Sequence, residues 1–167
     1  MFDLRSLELE PGAVRREQLA ADVEPLTLGG QTYTVEPRPL EVRLELQPGN
    51  GGLYLKLRFD AAVHGPCMRC LEPARMAVSV DAREYHDPSP GAAGHEELVS
   101  DYLAGEELDV ERWVRDSIAE ALPEVIICAE DCAGLCPRCG IRLEAGALHD
   151  CGQEEPDSRW EKLRELL

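Results

Sequence analysis

Aromatic residues are scarce in this chain of 167 residues: two Phe, two Trp and four Tyr, 5% of the sequence. Its core must therefore be aliphatic. Positive charge is also in short supply, with 17 Lys and Arg against 33 Asp and Glu and a formal net charge of −16. Nucleic-acid affinity comes largely from Lys and Arg neutralising phosphates, so direct RNA binding is disfavoured as the main activity, and a basic protein partner is easier to accommodate. Acidity also keeps a protein soluble without specifying any partner. Long apolar runs are missing: no stretch approaches the roughly 18 uninterrupted apolar residues of a membrane helix. The opening MFDLRSLELEPGAVRRE has no basic flank followed by an apolar run. The expectation is a cytoplasmic protein with no membrane partner.

What is present describes a folded chain, 44% hydrophobic and 30% charged. Its length suits one core with an appendage. The expected organisation is a sheet-plus-helix core over 1–127, a cysteine-rich module over 128–153 and a short helical tail over 154–167.

Residues 1–30 offer one edge strand, broken at Pro11-Gly12 and again at Gly29-Gly30. From 31 to 85 the apolar residues recur with period two, in QTYTV, EVRLELQ, LYLKLRFDAAV and ARMAVSVDARE. Four successive strands predict an antiparallel meander. PGNGG at 48–52 reads as a hairpin turn, and HGPCMRCLEP at 64–73 as a turn carrying Cys67 and Cys70. Residues 86–107 show no periodicity and read as a loop. Eight carboxylates and no Lys or Arg lie between Asp87 and Glu111, which suits either a solvated loop or a contact for a basic partner. A helix follows, with Asp109 as N-cap and Val110, Trp113, Val114, Ile118, Ala121 and Leu122 at helical spacing. Pro123 stops it. EVIIC, ending at Cys128, then reads as a short buried strand. The fold class expected is α+β: an antiparallel meander packed by one main helix, with a C-terminal zinc-knuckle module.

Seven cysteines fit disulfides poorly, because a reducing compartment keeps thiols free and the odd count leaves one unpaired. Metal ligation fits better. A CxxC turn lets two sulfurs converge on one ion, and the chain has two: Cys67/Cys70 and Cys136/Cys139, the latter in CPRCG. Cys128, Cys132, Cys151 and His149 bring the donors to eight, enough for two four-coordinate Zn2+ sites. One partition closes Cys136, Cys139, His149 and Cys151 locally and joins Cys67 and Cys70 to Cys128 and Cys132. A rival unites the two CxxC pairs in one site and leaves Cys128, Cys132 and Cys151 free. Thiolate-rich, four-donor sites are closed, so structural zinc is expected in preference to catalytic zinc. An iron–sulfur cluster shares the ligand type, although the histidine and the CPxCG knuckle favour zinc. His64, His86 and His95 lie beside turn or loop residues and are read as surface histidines. No paired acid and base accompanies an open site, so neither an enzyme nor a small-molecule substrate is expected.

CMRCLEP at 67–73, ALPEVIIC at 121–128, CAEDCAGLCPRCGIRLE at 128–144 and DSRWEKL at 157–163 together resemble the YceD family of bacterial proteins. The resemblance implies a small α+β protein without known enzymatic activity, associated with accumulation or processing of large-subunit ribosomal RNA. In many bacteria the gene lies beside that of a small zinc-ribbon protein of the large ribosomal subunit. A basic ribosomal protein or a pre-ribosomal particle is the partner this implies. The alternative is a direct RNA-binding zinc module, drawn from the knuckle and from Arg138 and Arg142 beside it. Many relatives end the cluster in CxC, where this chain has His149 in HDC. Some relatives lack the CPxCG half, which suits two separable sites.

Overall fold

The computed structural model describes residues 1–7, 9–49, 51–87 and 98–151. Its centre is β6, Leu53–Pro66, whose 14 residues pair antiparallel along their whole length with β7, Pro73–His86. The opposite edge of β6 is shared by two strands. Its first half pairs with β5, Leu40–Pro48, and its second half with β4, Gln31–Glu36. Beyond these lie β2, Arg15–Ala21, against β5, and β3, Leu26–Leu28, against β4.

Only β5, β6 and β7 form the expected meander. The strands QTYTV and EVRLELQ are consecutive but do not pair with each other. Pro37 and Pro39 lie between them, and proline cannot donate to a ladder, so the chain leaves β4 without a hairpin and meets β6 again one register block away. The single edge strand expected over 1–30 is also corrected: β1, Phe2–Asp3, β2 and β3 all lie there. RREQLAA carries too few apolar residues to show a period, because only one face of this outermost strand meets the core.

Alternation decides what is buried. Leu40, Val42, Leu44 and Leu46 of β5 face Leu55 and Leu57 of β6 in one aliphatic layer, all at most 2% exposed. Helix α1, Val110–Ala121, spans that layer, touching β7 and β2 at opposite edges of the sheet. The Asp109 side chain accepts from the Arg112 N–H at 3.1 Å, which caps the helix. Leu122 is extended ahead of Pro123 and ends it. Trp113, Val114 and Ile118 are buried as the spacing predicts, whereas Ala121 is exposed.

Part of the stretch read as a loop is ordered. β8, Leu103–Ala104, and β9, Glu107–Leu108, form a hairpin that extends to β1. Two-residue strands are too short to leave a periodic signal. EVIIC is not a strand: Ile126 is buried, but its carbonyl accepts from Met68 N–H at 2.8 Å in the 67–72 turn and not from a sheet neighbour. His86 is buried as well, because Leu98 returns over the end of β7 and takes the Asp87 N–H at 2.9 Å. His64 is half-buried with Nε2 3.2 Å from Glu36. His95 and the tail 154–167, with its DSRWEKL motif, lie outside the described residues. No helix among the described residues is long and apolar enough to cross a membrane.

Candidate metal centre

The first CxxC turn is the tip of the β6–β7 hairpin. Tyr33 on β4 holds its entry by donating its hydroxyl to the Pro66 carbonyl at 2.9 Å. The Cys67 N–H then donates to the Glu72 carbonyl at 2.7 Å, and the Leu71 N–H to the Cys67 carbonyl at 2.9 Å. Arg69 N–H points at Cys67 Sγ, 3.4 Å away. The second turn repeats the pattern: Cys136 N–H donates to Ile141 O at 2.8 Å, and Gly140 N–H to Cys136 O at 2.9 Å. The fourth residue after the leading cysteine is left-handed in both turns, Leu71 at φ 63° and Gly140 at φ 71°. Two segments distant in sequence thus make the same knuckle.

The chain passes from one knuckle to the other through Cys128 and Cys132. The bond from Met68 N–H to Ile126 O draws that segment beside the first turn. Arg69 fastens it further along, donating from Nη1 to the Cys132 carbonyl at 3.1 Å. Cys67 Sγ lies 3.8 Å from Cys132 Sγ, and Cys70 Sγ lies 3.6 Å from Cys128 Sγ. Around the second knuckle, Cys136 Sγ lies 3.1 Å from Cys151 Sγ, and Cys139 Sγ lies 3.2 Å from it. His149 Nε2 is 2.6 Å from Cys151 Sγ and 3.3 Å from Cys139 Sγ.

The eight donors therefore fall into two sets, each with its ligand atoms within 4.8 Å of one another. Cys67, Cys70, Cys128 and Cys132 form one; Cys136, Cys139, His149 and Cys151 form the other. The two CxxC pairs fall in different sets. Tetrahedral zinc at about 2.3 Å from each sulfur sets sulfur–sulfur edges of about 3.8 Å. The first set has those dimensions, and the second is somewhat tighter. The first set is also better covered, with Cys67 and Cys70 buried; Cys139 and His149 are exposed.

In both sets neighbouring thiols oppose one another's ionisation. Burial pushes the Cys67 thiol up, but backbone N–H groups of Arg69, Cys70 and Cys128 outweigh it and bring it to about 6. Its neighbour Cys128 is pushed up to about 12, first by hydrogen bonding with Cys70 and then with Cys132. In the second set the Cys139 N–H, the Cys151 thiol and the Arg138 N–H lower Cys136 to about 6. Cys151 rises to about 12 through its contacts with Cys136 and Cys139. Neighbouring sulfurs cannot all ionise unaided, and a divalent ion removes that conflict by holding every one as thiolate.

Several residues around the knuckles carried no sequence signal of their role. Gly134, at φ 80°, lies so close to the first knuckle that a Cβ would sit 3.1 Å from the Arg69 carbonyl. Arg142, beside the second knuckle, reaches Glu72 beside the first, with Nη1 3.9 Å from Oε1. Both join the two knuckles across long stretches of sequence, from Arg69 to Gly134 and from Glu72 to Arg142, a relation that local spacing does not encode.

A family model described as large ribosomal RNA subunit accumulation protein YceD matches residues 55–167. The chain belongs to the YceD family. That match takes in β6 from Leu55 onward, both knuckles and every donor named above. An uncharacterised protein of Mycobacterium tuberculosis H37Rv is 31% identical over 172 residues, an alignment covering all of this chain and 74% of the relative. One from Mycobacterium leprae is 27% identical over 174 residues, covering all of this chain and 77% of the relative. No solved structure matches. YceD proteins are ribosomal-RNA accumulation factors and not a known enzyme family.

Proposed function

We propose that this YceD protein is a non-enzymatic accessory factor in large-subunit ribosome biogenesis that works through protein contacts and carries two structural Zn2+ ions. The observation that carries the metal reading is the paired donor sets: one of four sulfurs and one of three sulfurs and an imidazole, each complete without water. Cys67, Cys70, Cys128 and Cys132 hold the first ion. Cys136, Cys139, His149 and Cys151 hold the second. The first ion fixes the β6–β7 tip against the 128–153 module and the second closes that module on itself, much as zinc supplies folding energy to other small modules that lack a core of their own.

A basic ribosomal protein or a pre-ribosomal particle is the partner that suits a chain with a net charge of −16. Arg142, one of the few cations near the second knuckle, is drawn to Glu72, which supports a protein-facing module over an RNA-facing one. Elemental analysis of the purified protein tests the metal reading: two zinc ions per chain, and one in each of Cys67→Ser and Cys136→Ser. Sedimentation with ribosomal particles and the level of large-subunit RNA in cells lacking the protein test the role. No association together with unchanged RNA would overturn it.

A further inference from the structure

β7 is an edge of the six-stranded sheet: its 14 residues pair with β6 and with no other strand among the described residues. Antiparallel neighbours exchange backbone bonds at alternate pairs. The bond from Cys67 N–H to Glu72 O continues the β6–β7 register and fixes which pairs these are. Ala74, Met76, Val78, Val80 and Ala82 turn their backbone groups to β6. Arg75, Ala77, Ser79, Asp81 and Arg83 turn theirs outward, where none of them bonds to another described residue. A long open edge is a template for a further strand, and sheets blunt such edges with bulges, prolines or inward-pointing charges. The ladder to β6 runs without a bulge, and the one proline of β7 is Pro73 at its first position.

The charges of β7 say what suits this edge. Arg75 and Arg83 balance Asp81 and Glu84, so the strand is neutral in a chain of net charge −16. A basic partner finds no field to draw it there, and a second copy of the chain meets no repulsion from the strand itself. The sequence is also complementary to itself when reversed. With Val78 on a two-fold axis, Arg75 falls opposite Asp81, Met76 opposite Val80, Ala77 opposite Ser79 and Ala74 opposite Ala82. Arg75 is exposed and makes no ion pair among the described residues. Asp81 already holds Arg58 Nε at 2.9 Å, Lys56 Nζ at 3.1 Å and Arg83 Nε at 3.3 Å. An ionised carboxylate has about four acceptor positions, which leaves one for Arg75 of the other copy. On the α1 side, Met76 and Val80 are half-buried apolar residues packed on the core, and the other copy would cover both.

We propose that the chain forms a dimer in which the β7 edges of two copies pair antiparallel about Val78 and join the two sheets into one. The backbone permits this register, because Arg75 with Asp81 and Ala77 with Ser79 are the exchanging pairs and all four point outward. Neighbouring registers are worse. With Ser79 on the axis, Arg75 meets Arg83; with Val80 on it, Met76 meets Glu84. The interface is isologous and closed, so association stops at two copies. Edge pairing covers less surface than the interface of a permanent dimer, and a reversible association in the micromolar range is expected. The two β6–β7 tips then lie at opposite ends of the joined strands, so that one dimer presents the first cysteine set twice. The pairing depends neither on the metal nor on a ribosomal role.

Sedimentation velocity of the full chain at physiological salt, from about 1 to about 500 μM, tests this. An 18.5 kDa monomer should give way to a species of twice that mass as concentration rises. Ala77→Pro removes an outward N–H and no bond to β6, and should weaken the dimer at least about tenfold. Arg75→Glu sets a carboxylate opposite Asp81 on both sides of the axis and should weaken it about tenfold. Gln18→Pro makes the same backbone change on β2, where the alternation turns the N–H away from β5, and should leave the dimer intact. Circular dichroism checks that each variant stays folded. Residue-resolved amide exchange should show Ala77 and Ser79 protected at high concentration and exposed in the monomer. A monomer at every concentration overturns the proposal, as does a dimer that Ala77→Pro or Arg75→Glu leaves unchanged. Loss of the dimer in Gln18→Pro would assign the contact to β2 and overturn it equally.

Discussion

Tyr33 packs onto the backbone of Gly65, where an added Cβ would sit 2.2 Å from the ring. This contact and the bond from the Tyr33 hydroxyl to Pro66 anchor the end of β6 two residues before the first ligand. Gly65→Ala is therefore expected to displace the ring and cost about 1–3 kcal/mol, as overpacking does in a fitted interior. Tyr33→Phe keeps the ring and loses one hydrogen bond, about 1 kcal/mol. Urea unfolding at fixed zinc separates the two. Equal stability of Gly65→Ala and the parent would mean that the ring is free to move aside.

The paired knuckles invite an exchange experiment. Gly140 and Leu71 occupy the same left-handed position, but only glycine reaches it without a Cβ penalty. Gly140→Ala is expected to cost about 1 kcal/mol. Leu71→Gly should change stability by no more than about 0.5 kcal/mol, because relief of the backbone offsets the greater freedom of the unfolded chain. Leu71 is 58% exposed, so its side chain adds little packing. A large drop in stability for Leu71→Gly, measured by the same unfolding assay, would contradict the strain argument.

What could be read from sequence follows the range over which each signal acts. The strands of the sheet with strong alternation were legible from β4 through β7, and α1 from its cap to its proline, because these signals are local. The order of the strands was not, since it depends on β6 being long enough to take β4 and β5 along one edge. The CxxC turns were legible for the same local reason. Arg69, Gly134 and the Glu72–Arg142 pair act between segments far apart in the chain. Net charge is silent in a different way: a strand sends alternate residues to opposite sides, and a total of −16 does not record which side carries which charge.

Arg69 offers a test of how the knuckles are coupled. Its guanidinium bonds to the Cys132 carbonyl, while its own carbonyl lies against Gly134 on the way to Cys136. Arg69→Ala keeps all eight donors and removes the tie that orients Cys132. Metal affinity of the first set is expected to fall about tenfold, as with other supporting groups around ligands, and that of the second set to stay near its starting value. Competition with a chromogenic chelator reads both. Equal weakening of the two sets would show that they load as one unit.

His149 is the one donor in the eight that is not a thiolate, so it decides what the second set demands. With three thiolates around Zn2+ the second set carries one negative charge, against two for the four thiolates of the first. His149→Cys equalises the sets and should retain two ions per chain. His149→Ala opens one position to water and leaves three sulfurs in an exposed setting, so the second ion should be lost on dialysis against a chelator while the first, behind buried Cys67 and Cys70, is kept. Elemental analysis after dialysis then reads two ions for the parent and His149→Cys and one for His149→Ala. Two ions retained in His149→Ala would remove His149 from the ligand set and leave the fourth position of that ion to a donor outside the eight.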